Sequence, residues 1–562
     1  MSDRLDRALL TLRTARHLRP TQVLHRGRLR SQRALASRWP AAARAVLRPP
    51  RSSTGRPPGW PAGFLPVDAR EPGDLPDAAD AAHGRFRFLD QAVDLGWPPD
   101  WAPPGVPRLW SYHLHYAEWA WSFAAHPDRP WAQAAFARLW RSWRVSTTFG
   151  RWDEWSPYVA SLRAWALCAT FGELAAGTPL EAAMIHDLRV HLGYLRRHLE
   201  LDVGGNHLVK NLKALVGLGV FLGDDRTVAA AVRRMADQLP LQVLADGGHY
   251  ERSPSYHCQV LGDLLDVGGL LAAAGRPPVE GLDDAVVSMR RWLAAMRLPD
   301  GDVPLLNDCT LVGTHRLDLL APAPPPPPGD GLVALRDSGY VVARRGRLHL
   351  VADAGPPCPP ELPAHAHADC LTFVLAVDGR RLVVDGGTST YEAGARRDHE
   401  RSTAAHNTVE VDGENQTEVW GAFRAGRRAR ASLERASGGG TRDVEIVGGH
   451  DGYRRLPGGV THRRAWVVGT DRLDVTDRLD GGGRHRVVTR WHLAPGTDAR
   501  VVDGGRVAIG GAELCFEGVG TVVVEPSEVA TGFGRRWPAP VVVASVTAEL
   551  PVVIRATFHL ER

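Results

Sequence analysis

PAHAHADCLTFVLAVDGRRLVVDGG, residues 363–387, decides how the C-terminal part of this chain folds. LTFVLAV and RLVVDGG are short, rich in β-branched residues and bounded by turn residues, so they read as a strand, a turn and a returning strand. The same texture extends both ways, in YVVARR, LHLVADA, NTVEVDG, AWVVGT and PVVIRATFHL. Short strands at close spacing with Gly-rich turns predict antiparallel sheets packed as a β-sandwich.

Upstream the period changes. WSYHLHYAEWAWSFAAH, PYVASLRAWALCATFGELAAG and HLVKNLKALVGLGVFLG place apolar residues at helical spacing in segments separated by Gly, Pro or Asp. Successive helical hairpins of this kind predict a helical array or (α/α) toroid. APAPPPPPG, residues 321–329, ends the pattern, because proline removes helix donors and favours extended spacers. The predicted class is α+β multidomain: a basic helical arm over 1–60, a toroid over 61–320, a linker over 321–330 and a β-sandwich over 331–562. No fixed-period repeat is evident.

At 562 residues the chain exceeds one ordinary domain, and 44% hydrophobic with 23% charged residues describes an ordinary globular composition. No apolar run is long enough to span a bilayer, and the charged opening MSDRLDRALLTLRTARHLRP lacks the apolar core of a signal peptide. The expected location is therefore cytoplasmic or membrane-peripheral. Six scattered cysteines without CxxC pairs indicate neither a zinc ribbon nor a disulfide framework. Only Lys210 and Lys213 are lysines among 68 basic residues, a bias typical of a GC-rich bacterial genome, so an individual arginine says little about function. Residues 1–51 carry 13 arginines against Asp3 and Asp6, and the remainder of the chain is net acidic despite the overall +5. That balance does not suit nucleic-acid binding. It leaves the arm either folding onto the first domain or touching an anionic membrane or glycan.

Three clusters carry chemistry. In GGNHLVKN, Asn206 precedes an apolar helical run and has the look of an N-cap; in DGGHYERSPSYH, Ser253 and Pro254 read as N-cap and first helical residue, placing Tyr256 in the first turn. Helix N-termini favour an anionic carboxylate, although capping alone also accounts for both positions. In HAHAD, His365 and His367 share the period of a strand and would point the same way. Asp385 follows across the predicted hairpin and His406 precedes another strand, so His367, Asp385 and His406 are candidate ligands of a zinc site. A lone HxH pattern is a weak signal by itself.

GGNHLVKNLKALV, DGGHYERSPSYH, PLLNDCT, HAHADCLTFVLAVDGRRLVVDGG and RRDHERSTAAHNTVEVDGENQTEVWGAFRAGRRA together, in this order, resemble the heparinase II/III family over residues 100–430. The resemblance implies a toroid, incomplete in many members, followed by β-sandwich layers. It implies catalytic roles for Asn206, His207, Tyr256 and His365, and a mainly structural divalent metal, zinc, on His367, Asp385 and His406. Some members use the histidine matching His406 or His207 in catalysis, which leaves the role of His406 open. Glu251, Arg252 and Arg401 are candidate contacts to an anionic uronate glycan.

The implied reaction is β-elimination. Abstracting the C5 proton of a uronate builds charge on its carboxylate, which Asn206 and His207 would stabilise, while Tyr256 and His365 would share proton transfer. Two rival readings remain: a non-catalytic glycan-binding or exopolysaccharide assembly factor, and a toroid-type glycoside hydrolase using two carboxylates drawn from Asp153, Glu154 and Glu251. Unsaturated product ends separate the lyase from both. The tryptophans of 110–155 suit a helical core more than sugar stacking.

Overall fold

The computed structural model describes residues 2–47, 57–70, 75–150, 153–322, 329–440 and 442–560. Two stretches of the expected organisation, 48–56 in the arm and 323–328 in the linker, lie outside the described residues, as does Trp152. The chain forms two compact units: a helical one, residues 19–242 with 259–286, and a sheet-bearing one, residues 1–18, 243–258 and 287–562. This division departs from the linear domain plan. The segment carrying Tyr256 folds with the sheets, because the Arg252 carbonyl accepts from Tyr340 Oη (2.6 Å) and Ser253 Oγ donates to the Asp308 carbonyl (2.6 Å).

The helical unit is built on helices Arg108–Tyr116, Arg129–Ser146, Pro157–Ala169, Glu181–Leu195, Gly205–Leu222 and Asp225–Gln242. Trp110, Trp119, Trp140, Trp143 and Trp155 are all buried, and Trp140 stacks on Trp143 at 4.6 Å, so these rings make core. Gly205–Leu222 is buried along almost its whole length, which explains a sequence that is apolar on every side. Its two lysines, the only ones of the chain, are neutralised inside: Lys210 reaches Asp263 (2.8 Å), and Lys213 reaches Asp263 (2.9 Å) and Asp266 (2.5 Å).

The sheet-bearing unit contains antiparallel sheets of five, four and eight strands. Five run in sequence order from Gly331–Leu335 to Arg380–Val383. Four pair Thr521–Gly532, Arg535–Glu549, Arg484–His492 and Val409–Val411. The eight-stranded sheet turns its alternate residues inward, as in Arg472–Asp480, whereas Leu348–Asp353 is buried at every position, His349 and Asp353 included. Phe373, Leu350, Trp466, Val475, Trp491 and Val542, drawn from all three sheets, share one core.

The arm divides between the units. Helix Ser2–Ala15 packs with the sheets, through Arg13 on Glu418 (2.9 Å) and Trp420 Nε1 on Thr14 Oγ1 (3.0 Å), instead of folding onto the helical domain. Helix Pro20–Arg38 belongs to the helical unit, where Gln22 donates to the Asp202 carbonyl (3.2 Å).

Candidate active site

Asp308, from the PLLNDCT loop, is the hub of the site and is fully buried. Its Oδ2 accepts from His365 Nδ1 (3.0 Å) and Arg397 (2.7 Å), and its Oδ1 accepts from His367 Nε2 (2.9 Å), Arg397 (2.5 Å) and Thr388 Oγ1 (3.3 Å). Burial alone would raise this carboxyl, but Arg397 and the two histidines outweigh it and hold Asp308 well below the usual carboxylate range. The other face of His365 is closed too, since Nε2 lies 3.2 Å from Glu251 Oε2. Desolvation pulls this imidazole down, yet its bonds to Asp308 and Glu251 win, and His365 is held up to about 9. At neutral pH it is an imidazolium between two carboxylates. Neither of its nitrogens is left free for proton transfer, contrary to the expectation from sequence.

Tyr256 occupies the first turn of helix Pro254–Ala273 as expected, with Ser253 at the cap; the serine Oγ accepts from Tyr256 N (3.5 Å). Its ring lies on His365, centroids 3.8 Å apart, and its hydroxyl meets that of Tyr391 at 2.9 Å. Burial, then Tyr391 and Asp308, keep the Tyr256 phenol well above its ordinary value, so it is protonated at neutral pH. Tyr256 is nevertheless only partly covered. Arg397, beneath Tyr391 at 4.9 Å, ties this second tyrosine to Asp308.

HAHAD is a loop, not a strand: Asp308 N donates to the His365 carbonyl (3.3 Å), and His367 N donates to Asn307 Oδ1 (3.1 Å), so the segment bonds to a neighbouring loop instead of a ladder. The two histidines still converge, on Asp308. Asp385 and His406 come together, with Nδ1 3.0 Å from each carboxylate oxygen, and the His406 ring is 5.2 Å from that of His367. The ligand atoms of His367, Asp385 and His406 do not all lie within 4.8 Å of one another; among the described residues only Glu513, Cys515 and His559 meet that condition. The donor chemistry nonetheless fits a cation. His367 Nδ1, His406 Nε2 and both Asp369 oxygens are buried without a hydrogen-bond partner, and burial pushes Asp369 up to about 6.

Glu251 is buried against His365, and Arg252 donates to the Asp337 carbonyl (3.0 Å) and the Ser338 carbonyl. Arg401 gives its donors to the carbonyls of Ala366, Gly421 and Arg424 at 2.9–3.1 Å. These contacts make Arg252 and Arg401 supports of the site loops. In the helical unit, Gly204, at φ 73°, holds the cap position in place of Asn206, which is the second residue of its helix and buried. His207 Nδ1 donates to Glu200 (3.2 Å), and its ring packs 4.4 Å from Tyr158. Asp153 pairs with Arg108 at 2.7 Å, and Glu154 is buried. Sequence reasoning gave no role to Asp308, Arg397, Tyr391 or Asp369.

The family comparisons agree with this architecture. The model for the heparinase II/III N-terminus matches residues 153–318, and the heparinase II/III-like C-terminal model matches residues 327–557. The chain therefore belongs to the heparinase II/III family of polysaccharide lyases. It is 28% identical over 522 residues to FtsZ-localized protein C of Caulobacter vibrioides, covering 85% of this chain and 88% of that protein. It is 24% identical over 439 residues to a heparin-sulfate lyase of Pedobacter heparinus, covering 68% and 65% of the two chains. Among solved structures, heparinase III superposes with a TM-score of 0.74 at 15% identity, over 92% of this chain and 88% of that one, a likeness of fold.

Proposed function

We propose that the chain cleaves a uronic-acid-containing glycan by β-elimination. The observation that carries the proposal is the half-buried Tyr256, whose hydroxyl meets Tyr391 and whose ring stacks on a buried His365 imidazolium. In the reaction the C5–H and C4–O bonds break, a C4–C5 double bond forms, and the departing oxygen takes a proton. Tyr256, a phenol at neutral pH, gives its hydroxyl proton to that oxygen and takes the C5 proton in its place, so the phenol is regenerated. His365 acts as a fixed cation, stabilising negative charge as it develops. Asn206 and His207 keep the carboxylate-binding roles that the resemblance implies. Asn206 stands in the first turn of Gly205–Leu222, where free N–H groups favour an anion.

The named activity of the Pedobacter relative supports an anionic glycosaminoglycan as substrate class, while the name of the Caulobacter relative records a location and no reaction. We also assign a divalent metal, zinc, to the corner of His367 and His406, with Asp385 orienting His406. A bound metal would supply rigidity there; the proton transfers belong to Tyr256 and its neighbours. Incubation with a panel of uronate polymers under ultraviolet detection tests the reading. Unsaturated ends from at least one polymer are expected, and binding without cleavage, or saturated reducing ends, would replace it.

A further inference from the structure

The sheet-bearing unit holds a second basic feature unconnected with Asp308. A cavity of about 620 Å³ is lined by Arg16, Arg427, Arg428, Arg430, Arg454 and Arg455, with His17 beside them and Asp451 the only acidic lining residue. Carboxylates neutralise part of this set: Glu418 takes Arg13 and Arg427, and Glu414 takes Arg455. Asp451 is occupied by the backbone N–H of Arg430 at 2.8 Å. Arg16, Arg428, Arg430 and Arg454 have no carboxylate ion pair among the described residues. Elsewhere in the chain exposed arginines are commonly paired, as Arg347 is with Asp378 and Arg472 with Asp474, so four uncompensated guanidinium groups around one cavity stand apart from the general arginine richness.

Two further observations point into the cavity. Arg428 directs one nitrogen to the Pro359 and Pro360 carbonyls, but its Nε and other terminal nitrogen are buried with no hydrogen-bond partner. A buried donor without an acceptor is costly, and an anion would relieve that cost. His17 accepts from Arg16 Nε (3.4 Å), and desolvation lowers its proton affinity, with Arg428 and Arg16 adding to the effect.

We propose that this cavity binds a compact anion carrying two or more tetrahedral phosphate or sulfate groups. Guanidinium forks match two oxygens of such a group at once, and two or more such groups can engage several of these arginines together. The volume lies in the range that holds a nucleotide or a disaccharide. The turn that follows the N-terminal helix contributes Arg16 and His17, which gives the basic arm a structural reason to dock on the sheets.

The test is calorimetric titration of the full chain with inorganic pyrophosphate and, separately, with an O-sulfated uronate disaccharide. Wild type should bind at least one of them with an affinity that falls steeply with added salt. Arg430→Ser combined with Arg454→Ser, both exposed positions, should weaken binding tenfold or more, whereas Arg500→Ser, removing equal charge from an edge strand, should leave it unchanged. Preference for pyrophosphate identifies a free phosphate ligand, and preference for the disaccharide identifies a sulfated glycan. Absence of binding to both in low salt, or equal affinity in the double variant and wild type at matched melting temperature, overturns the proposal. Because the readout is binding, the result stands apart from any outcome of the turnover assay.

Discussion

Tyr256 stacks on His365, ring centroids 3.8 Å apart and planes inclined by 28°, while both nitrogens of that imidazole are held by carboxylates. The stack separates two duties: the phenol is free to exchange a proton, and the imidazolium is not. Tyr256→Phe keeps the ring and removes only the hydroxyl and its contact with Tyr391. Turnover of a responsive polymer should disappear while the denaturation midpoint shifts by about 1 kcal/mol or less. Near-normal turnover would remove Tyr256 from the mechanism.

Asp308→Asn should be far more damaging to the fold. It leaves Arg397 and His365 buried with less compensating charge, and breaking a buried pair in this way costs about 3–5 kcal/mol. Equilibrium denaturation should show the loss directly. A variant as stable as wild type would mean that the hub carries no structural weight.

Asn206→Ala tests the helical unit. Since Gly204 and not Asn206 occupies the cap, the variant should lose little stability and much activity on the uronate polymer. If stability falls and the remaining folded protein turns over normally, the residue is structural.

Purified protein should carry one equivalent of a divalent metal, lost in His367→Ala and His406→Ala together with part of the thermal stability. Mass-spectrometric metal analysis with melting before and after chelation decides the matter. Substoichiometric metal in all three proteins and unchanged melting would leave these residues as a hydrogen-bonded cluster only.

Stability should decline on acidification before carboxylates titrate. Burial lowers His115 to about 3, with Arg163 adding to the effect, and lowers His113 and His198 to about 4. The unfolded chain binds these protons near pH 6.5 while the folded chain does not. Their contribution is therefore fully present above pH 6.5 and is lost as the pH falls toward 4. Urea midpoints measured between pH 7.5 and 4.5 should fall steadily; a flat profile would contradict the buried neutral state of these histidines.

Much of this structure is legible in the chain itself because periodicity reports burial. Short β-branched stretches between turn residues located the strands Tyr340–Arg345, Leu348–Asp353 and Val552–Leu560, and the turn chemistry of Ser253-Pro254 located the start of the Tyr256 helix. The hub was not legible. Asp308 sits in an aperiodic loop 57 residues from His365, and only the folded chain brings them together. Arg397 is hidden for another reason: among 66 arginines nothing in the order of residues distinguishes the one that lies buried beneath Tyr391. HAHAD shows the limit of a spacing argument, since its histidines do converge, but from a loop and onto a carboxylate that the spacing cannot reveal.

The burial of Lys210 and Lys213 has a practical side. With its only side-chain amines locked against Asp263 and Asp266, the folded protein offers acylating dyes, aldehyde fixatives and amine-coupled resins almost nothing to react with along its length. Reactivity toward such reagents would instead report the opening of the helical unit, making lysine modification a clock for unfolding rather than a label for the surface.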